Sequence, residues 1–166
     1  IDHPAPHLLE RAVYGLPEIR REMIGRATLV ANPGCFPAAA ILALAPAVRE
    51  RLIVDDVVVD AKTGISGAAR GGLATNTADH VAEANENVVA YGLDGHSHQP
   101  EIAQELAELR EAESARVTFI PHRVPMTRGI LATCYGRLQN ESTSKEAVRD
   151  LYRDFYAHEP FVRVTD

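Results

Sequence analysis

Apolar and polar positions divide this chain into strand-like and helix-like stretches. Ala27-Thr28-Leu29-Val30-Ala31 suits a short strand, and Asn32-Pro33-Gly34 stops it with turn residues. From Phe36 the composition switches to Pro-Ala-Ala-Ala-Ile-Leu-Ala-Leu. This predicts a buried helix with Pro37 in its first turn, where no amide is needed, and Pro46 near a kink or the end. Residues 52–61 contain Val57-Val58-Val59, a β-branched run that fits a largely buried strand. Residues 62–72 are too rich in glycine for regular structure and predict a loop that exposes backbone. Ile102, Leu106 and Leu109 recur at helical spacing after Pro100, with acidic residues on the opposite face.

Further on, residues 117–120 and 129–138 read as strands joined by a connection that carries Arg123 and Arg128. Thr143-x-x-Glu146 resembles a capping box ahead of Val148, Leu151, Tyr152 and Phe155, and Pro160 is expected to close that helix. Residues 161–164 are expected to begin another strand, and residues 90–93 a short one. The polar stretch 73–89 has no clear period, and the opening to Gly25 reads as an entry from something that precedes it.

Composition bounds what such a chain can be. Its 166 residues, 46% hydrophobic and 24% charged, suit one globular domain and exclude disorder or a low-complexity fibre. A net charge of −6 gives no general attraction to nucleic acid or anionic membranes, although a local basic pocket can still hold an anion. The longest apolar run, 36–48, falls short of the ~18 residues a membrane span needs and contains two prolines. The first residues lack the basic start and apolar stretch of a secretory signal, so the cytoplasm is the expected location. Cys35 and Cys134 are far apart and have no Cys-x-x-Cys spacing, so neither a disulfide framework nor a metal ribbon is expected.

Chemistry concentrates in four places. Cys35 follows a turn and opens a helix, where free N–H groups and the helix dipole favour a thiolate; the alternative is an inert buried thiol. Cys134 lies in an apolar strand and reads as structural. His96-Ser97-His98, on a loop before a helix, can orient a thiol or exchange its proton. A zinc site using this pair with His80, His122 or Cys35 lacks any standard spacing, and no metal is expected. The glycine-rich loop can offer backbone N–H groups, with Ser66 and Arg70 as added donors, to a phosphate or the polar end of a cofactor. Arg123 and Arg128 bracket Pro125 and suit a carboxylate or phosphate. Together these features suggest a thiol enzyme acting on an anionic carbonyl or acyl compound.

The segment Asn32-Pro33-Gly34-Cys35-Phe36-Pro37 resembles the catalytic segment of the N-acetyl-γ-glutamyl-phosphate reductase family, relatives of aspartate-semialdehyde dehydrogenase. Tyr14-Gly15-Leu16-Pro17-Glu18, Ser66-Gly67-Ala68-Ala69-Arg70-Gly71, His96-Ser97-His98-Gln99-Pro100-Glu101-Ile102 and Arg128-Gly129-Ile130-Leu131-Ala132-Thr133 resemble that family in the same order, nearly end to end. The resemblance implies an α/β (α+β) fold. Its sheet would be mixed and largely antiparallel with helices on one face, like the second domain of glyceraldehyde-3-phosphate dehydrogenase. It implies that Cys35 forms a thioester with an acyl-phosphate substrate, which NADPH reduces to a semialdehyde. It also implies that His96 or His98 is the acid/base partner; the motif does not choose between them. Arg70, Arg123 and Arg128 are assigned to the substrate, and Ser66 and Gly67 to the cofactor. Residues 1–166 would be the catalytic, substrate-binding and dimerisation domain, associating through the sheet face. The family's Rossmann NADP-binding domain and the end of the substrate domain would lie outside the chain, and the fragment alone is expected to be inactive. A sister reductase of lysine biosynthesis acting on an aminoadipate compound, a non-catalytic binding domain of the same fold, and a cysteine hydrolase are the rival readings.

Overall fold

The computed structural model describes residues 4–68 and 86–165. Its centre is β3 (Ile53–Thr63), on which burial alternates so that Val57, Val59, Ala61 and Thr63 point to one face. β3 pairs in parallel with β5 (Arg116–Arg123), Val57 opposite Val117, and antiparallel with β6 (Ile130–Leu138), Val59 opposite Cys134. The short β4 (Val89–Ala90) runs antiparallel along β5, giving the order β4-β5-β3-β6. Two of the three pairings are antiparallel, as the resemblance implied.

One face of this sheet carries α2 (Cys35–Arg49) and α3 (His98–Arg110). The apolar stripe of α2 buries Phe36, Ala40, Leu44, Ala47 and Val48, while Ile102 and Leu106 descend from α3 onto Val59, Val117 and Phe119. The small residues of α2 let the two helices lie close. Pro37 stands in the first turn, as expected. Pro46 lies in the last turn, near the end as expected, and the helix continues past it to Arg49.

That continuation has a specific support. Proline at position 46 removes the amide that would bond the carbonyl of Leu42. The hydroxyl of Tyr156 donates to this Leu42 oxygen at 2.6 Å, and Tyr152 donates to the neighbouring Ala43 oxygen at 2.7 Å. Both tyrosines come from α4 (Lys145–Phe155) and its C-terminal cap. The N-cap of α4 is Ser144, whose Oγ accepts from the Ala147 amide at 3.1 Å, one residue after the expected Thr143. α4 ends at Phe155, before Pro160 can act on it.

The opening, to which the sequence reading assigned no elements, holds a 3₁₀ helix (Pro6–Arg11), β1 (Val13–Tyr14) and α1 (Pro17–Arg26), and the strand expected at 27–31 is β2 (Val30–Ala31), paired in parallel with β1. One further expectation is corrected. Residues 161–164 form no strand. Val162 and Val164 have the right side chains, but their backbone pairs with none of the described strands; the Val162 amide closes a turn onto Glu159 instead.

Tyr156→Phe should leave the Leu42 carbonyl without a partner and lower stability by about 1–3 kcal/mol, whereas Tyr152→Phe, at a carbonyl that keeps its helical amide, should cost less. Urea midpoints of the two variants check the order.

Candidate active site

Three chain segments converge on one thiol. β2 delivers the chain to the turn at Asn32 and Pro33, Gly34 caps the helix in extended backbone, and Cys35 is its first residue, exposed at the positive end of α2. His98 is the first residue of α3, and its ring lies against Gly34: a Cβ there would sit 2.6 Å from His98 Nε2. A side chain at position 34 would have to push this ring aside. His96 precedes the helix and accepts a hydrogen bond on Nδ1 from the His98 amide at 3.1 Å, which keeps that nitrogen unprotonated in the neutral ring. Ring contacts at 4.6 Å to His98, 5.3 Å to Phe119 and 5.8 Å to Tyr91 hold it.

Burial pushes both imidazoles below their ordinary 6.5; for His98 the nearby His96 adds to the effect and Glu101 opposes it. His98 Nδ1 is buried with no hydrogen-bond partner. These groups line a pocket of about 340 Å³ together with Cys35, Thr63, Gly64, Gly67, Tyr91 and Arg123. The Arg123 guanidinium stands 5.7 Å from the centre of the Tyr91 ring. Burial raises the Tyr91 hydroxyl, the proximity of Cys35 adds to this, and Arg123 counters it.

The site residues expected from sequence therefore divide. Cys35, His96, His98, Arg123 and Gly67 line one pocket. Ser66 is exposed in a 3₁₀ turn (Ile65–Ala68) and Arg128 is exposed on the turn between β5 and β6; neither lines that pocket. Arg70 and His80 lie outside the described residues. The described part of the glycine-rich segment, 62–68, differs from a free loop, because the amides of Gly64, Ile65 and Ser66 are engaged by the carbonyls of Gly129, Met126 and Thr127. His122 pairs with Asp60 at 3.2 Å, away from the pocket lining, and no group of three metal-ligating side chains occurs among the described residues. Sequence reasoning missed Thr63, Tyr91 and Glu101. Glu101 stands three residues after His98 on a helix, a spacing that puts the two side chains on one face.

Residues 35–166 match the family described as semialdehyde dehydrogenase, dimerisation domain. The chain belongs to this family. Among its relatives, an N-acetyl-γ-glutamyl-phosphate reductase of Dehalococcoides mccartyi is 53% identical over 165 residues, which is 99% of this chain and 47% of the relative. The chain spans about half the length of the curated relatives it matches. Among solved structures of the semialdehyde dehydrogenase family, aspartate semialdehyde dehydrogenase II from Vibrio cholerae superposes with a TM-score of 0.63 at 20% identity, covering 88% of this chain and 50% of that one. Aspartate semialdehyde dehydrogenase with NADP from Candida albicans gives 0.55 at 14% identity, covering 87% and 45%. At these identities the structures support the fold.

The two cysteines should separate on alkylation. Burial pushes Cys134 up to about 11, so at about pH 8 only about one part in a thousand is thiolate, and exposed Cys35 should react at least ~10-fold faster. Mass spectrometry of the alkylated peptides checks this, and equal rates would contradict the geometry. The histidines also set a pH response. Between their lowered folded values and 6.5 the unfolded chain binds more protons, so stability rises with pH through that window and is lost as pH falls through it. Thermal melts from about pH 7.5 to 5.5 should show a fall in Tm that is shallower in the His96→Gln, His98→Gln double variant.

Proposed function

We propose that this chain is the catalytic, substrate-binding and dimerisation part of an NADPH-dependent reductase of arginine biosynthesis that acts in the cytoplasm. The reaction converts N-acetyl-L-glutamyl 5-phosphate into N-acetyl-L-glutamate 5-semialdehyde and phosphate. The observation that carries the reading is the exposed Cys35 at a helix N-terminus, beside two half-buried imidazoles and a guanidinium in one small pocket. The names of relatives about 50% identical over nearly the whole chain support the substrate.

In this reading the Cys35 thiolate attacks the acyl carbon, a carbon–sulfur bond forms, and phosphate leaves with the electron pair of its carbon–oxygen bond. His98 holds the proton exchanged at the thiol and later at the substrate oxygen; its Nε2 is the ring atom nearest Gly34, and its low affinity for protons keeps it a base near neutral pH. His96 braces it through the bond to its amide. Arg123 binds the anionic end of the substrate, held in place over Tyr91. Arg128, outside the pocket lining, and Arg70 are assigned to the same anion. Gly64 and Gly67 line the pocket wall. In this reading Gly67 and Ser66 are the chain's own contacts to a cofactor bound mainly elsewhere. NADPH, when bound, supplies the hydride that releases the acyl group from sulfur as the semialdehyde.

Pairing of two copies through the open sheet face belongs to the same reading. The family description names a dimerisation domain, and Leu131 and Tyr135 on the side of β6 away from the helices are 60% and 55% exposed.

The test is NADPH oxidation by the intact reductase, dependent on N-acetylglutamyl phosphate. Wild-type protein should turn over, and Cys35→Ser should lose about 10⁴-fold or more with the fold retained, since the swap is nearly isosteric. Absence of wild-type activity, or turnover by the serine variant, would refute the assignment. Preference for the acyl phosphate one methylene longer would move the protein to the lysine-type reaction.

A further inference from the structure

Glu101 lies one turn into α3 from His98, and its Oε1 accepts two hydrogen bonds. One comes from the backbone N–H of Gly34 at 2.9 Å, the other from the Tyr14 hydroxyl at 2.8 Å. Gly34 is the residue that hands the chain from β2 to Cys35, and its amide precedes the helix, so no carbonyl of α2 can take it. The His98 ring rests on the same glycine. A single turn of α3 thus holds one residue twice, by a carboxylate on its amide and an imidazole against its α-carbon.

The far side of the carboxylate is also fixed. Tyr14 ends β1, which pairs with β2, the strand that leads to the nucleophile. Its hydroxyl is held well above the ordinary tyrosine value, chiefly by burial and then by the bond to Glu101, so it remains a donor across the working range. The same face of α3 continues with Glu105 and Glu108. Both bind Arg20 of α1, Glu105 at 2.8 Å, which keeps the segment bearing Tyr14 docked.

We propose that Glu101 is a positioning residue of the active site: its carboxylate fixes the peptide of Gly34 to α3, so that the Cys35 sulfur stays in register with the His98 ring. The inference rests on the reading above only in taking Cys35 as the nucleophile. Glu101 does not touch the reacting atoms. Its loss should leave substrate binding in place and disturb the approach of thiol, base and acyl carbon, for which about an ångström of displacement is worth about 10²-fold in rate.

The experiment compares wild type, Glu101→Ala and Glu101→Gln in the intact reductase. It uses steady-state kinetics, deuterium uptake at Gly34 read by fragmentation mass spectrometry, and melting curves to confirm that each variant folds. Glu101→Ala should lower kcat about 10- to 100-fold with KM changed less than about 3-fold, and the Gly34 amide should lose about 10-fold or more in protection. Glu101→Gln keeps an oxygen for that amide and should recover both to within about 5-fold. Unchanged exchange at Gly34 in Glu101→Ala overturns the proposal whatever the activity. So does lost protection with unaltered kcat, or a glutamine variant that restores protection without restoring rate. If the wild type reduces no acyl phosphate, that failure belongs to the functional reading, and exchange at Gly34 still decides whether Glu101 holds the nucleophile's peptide.

Discussion

The starts of α2 and α3 meet at Gly34, where an added Cβ would lie 2.6 Å from His98 Nε2 and displace that ring. That separation orders much of the rest. The core behind this contact uses small and flat groups: α2 supplies alanines at 40 and 47, while Phe36 stacks edge-on against Phe119 of β5. β3 takes the next layer, its inward valines and alanine meeting both helices at once. The site is therefore a corner of the core in which one residue, Cys35, is left facing solvent. Partial burial lowers the proton affinity of its two histidine neighbours, and the thiol stays within reach of a small molecule.

What the sequence disclosed and what it concealed follow from the range of the forces involved. α2 and α3 were legible because their apolar positions recur at helical intervals, and β3 because β-branched residues cluster there. Cys35 and the two histidines were legible because each stands where a turn becomes a helix. α1 was hidden: it is polar, has no buried residue and is interrupted at Arg20, whose backbone departs from helical angles. It is held instead by ion pairs from Arg20 to Glu105 and Glu108 and from Arg21 to Glu159, contacts between residues more than 80 positions apart that leave no local period. Tyr91 was hidden for a related reason. It sits in a glycine-rich stretch without pattern, and only the fold puts its ring between His96 and Arg123. The strand expected at 161–164 shows the converse, in that composition can favour an extended backbone that the fold gives no edge to join.

Charge is arranged along α3 with a division of labour. The face turned to the sheet is apolar, whereas Glu101, Glu105 and Glu108 make a stripe that gathers the amide of Gly34, a tyrosine hydroxyl and an arginine. Glu105 is almost wholly buried and is satisfied by the Arg20 guanidinium, so that removing either partner would strand a charge. The helix that supplies the imidazole thereby also ties down the N-terminal segment, and the region matched by the dimerisation-domain family depends on residues that precede it.

Pro46 carries a consequence of a different kind. With the Leu42 carbonyl bonded by Tyr156, the helix that begins at Cys35 is stitched, about two turns further along, to a tyrosine more than a hundred residues away. Cleavage of the chain before α4 by a protease would open that stitch and leave a bare acceptor in the middle of the helix. A nick at the back of the molecule would thus be felt along the rod that presents the sulfur, and the order in which the chain is digested becomes a record of which end was protecting the other.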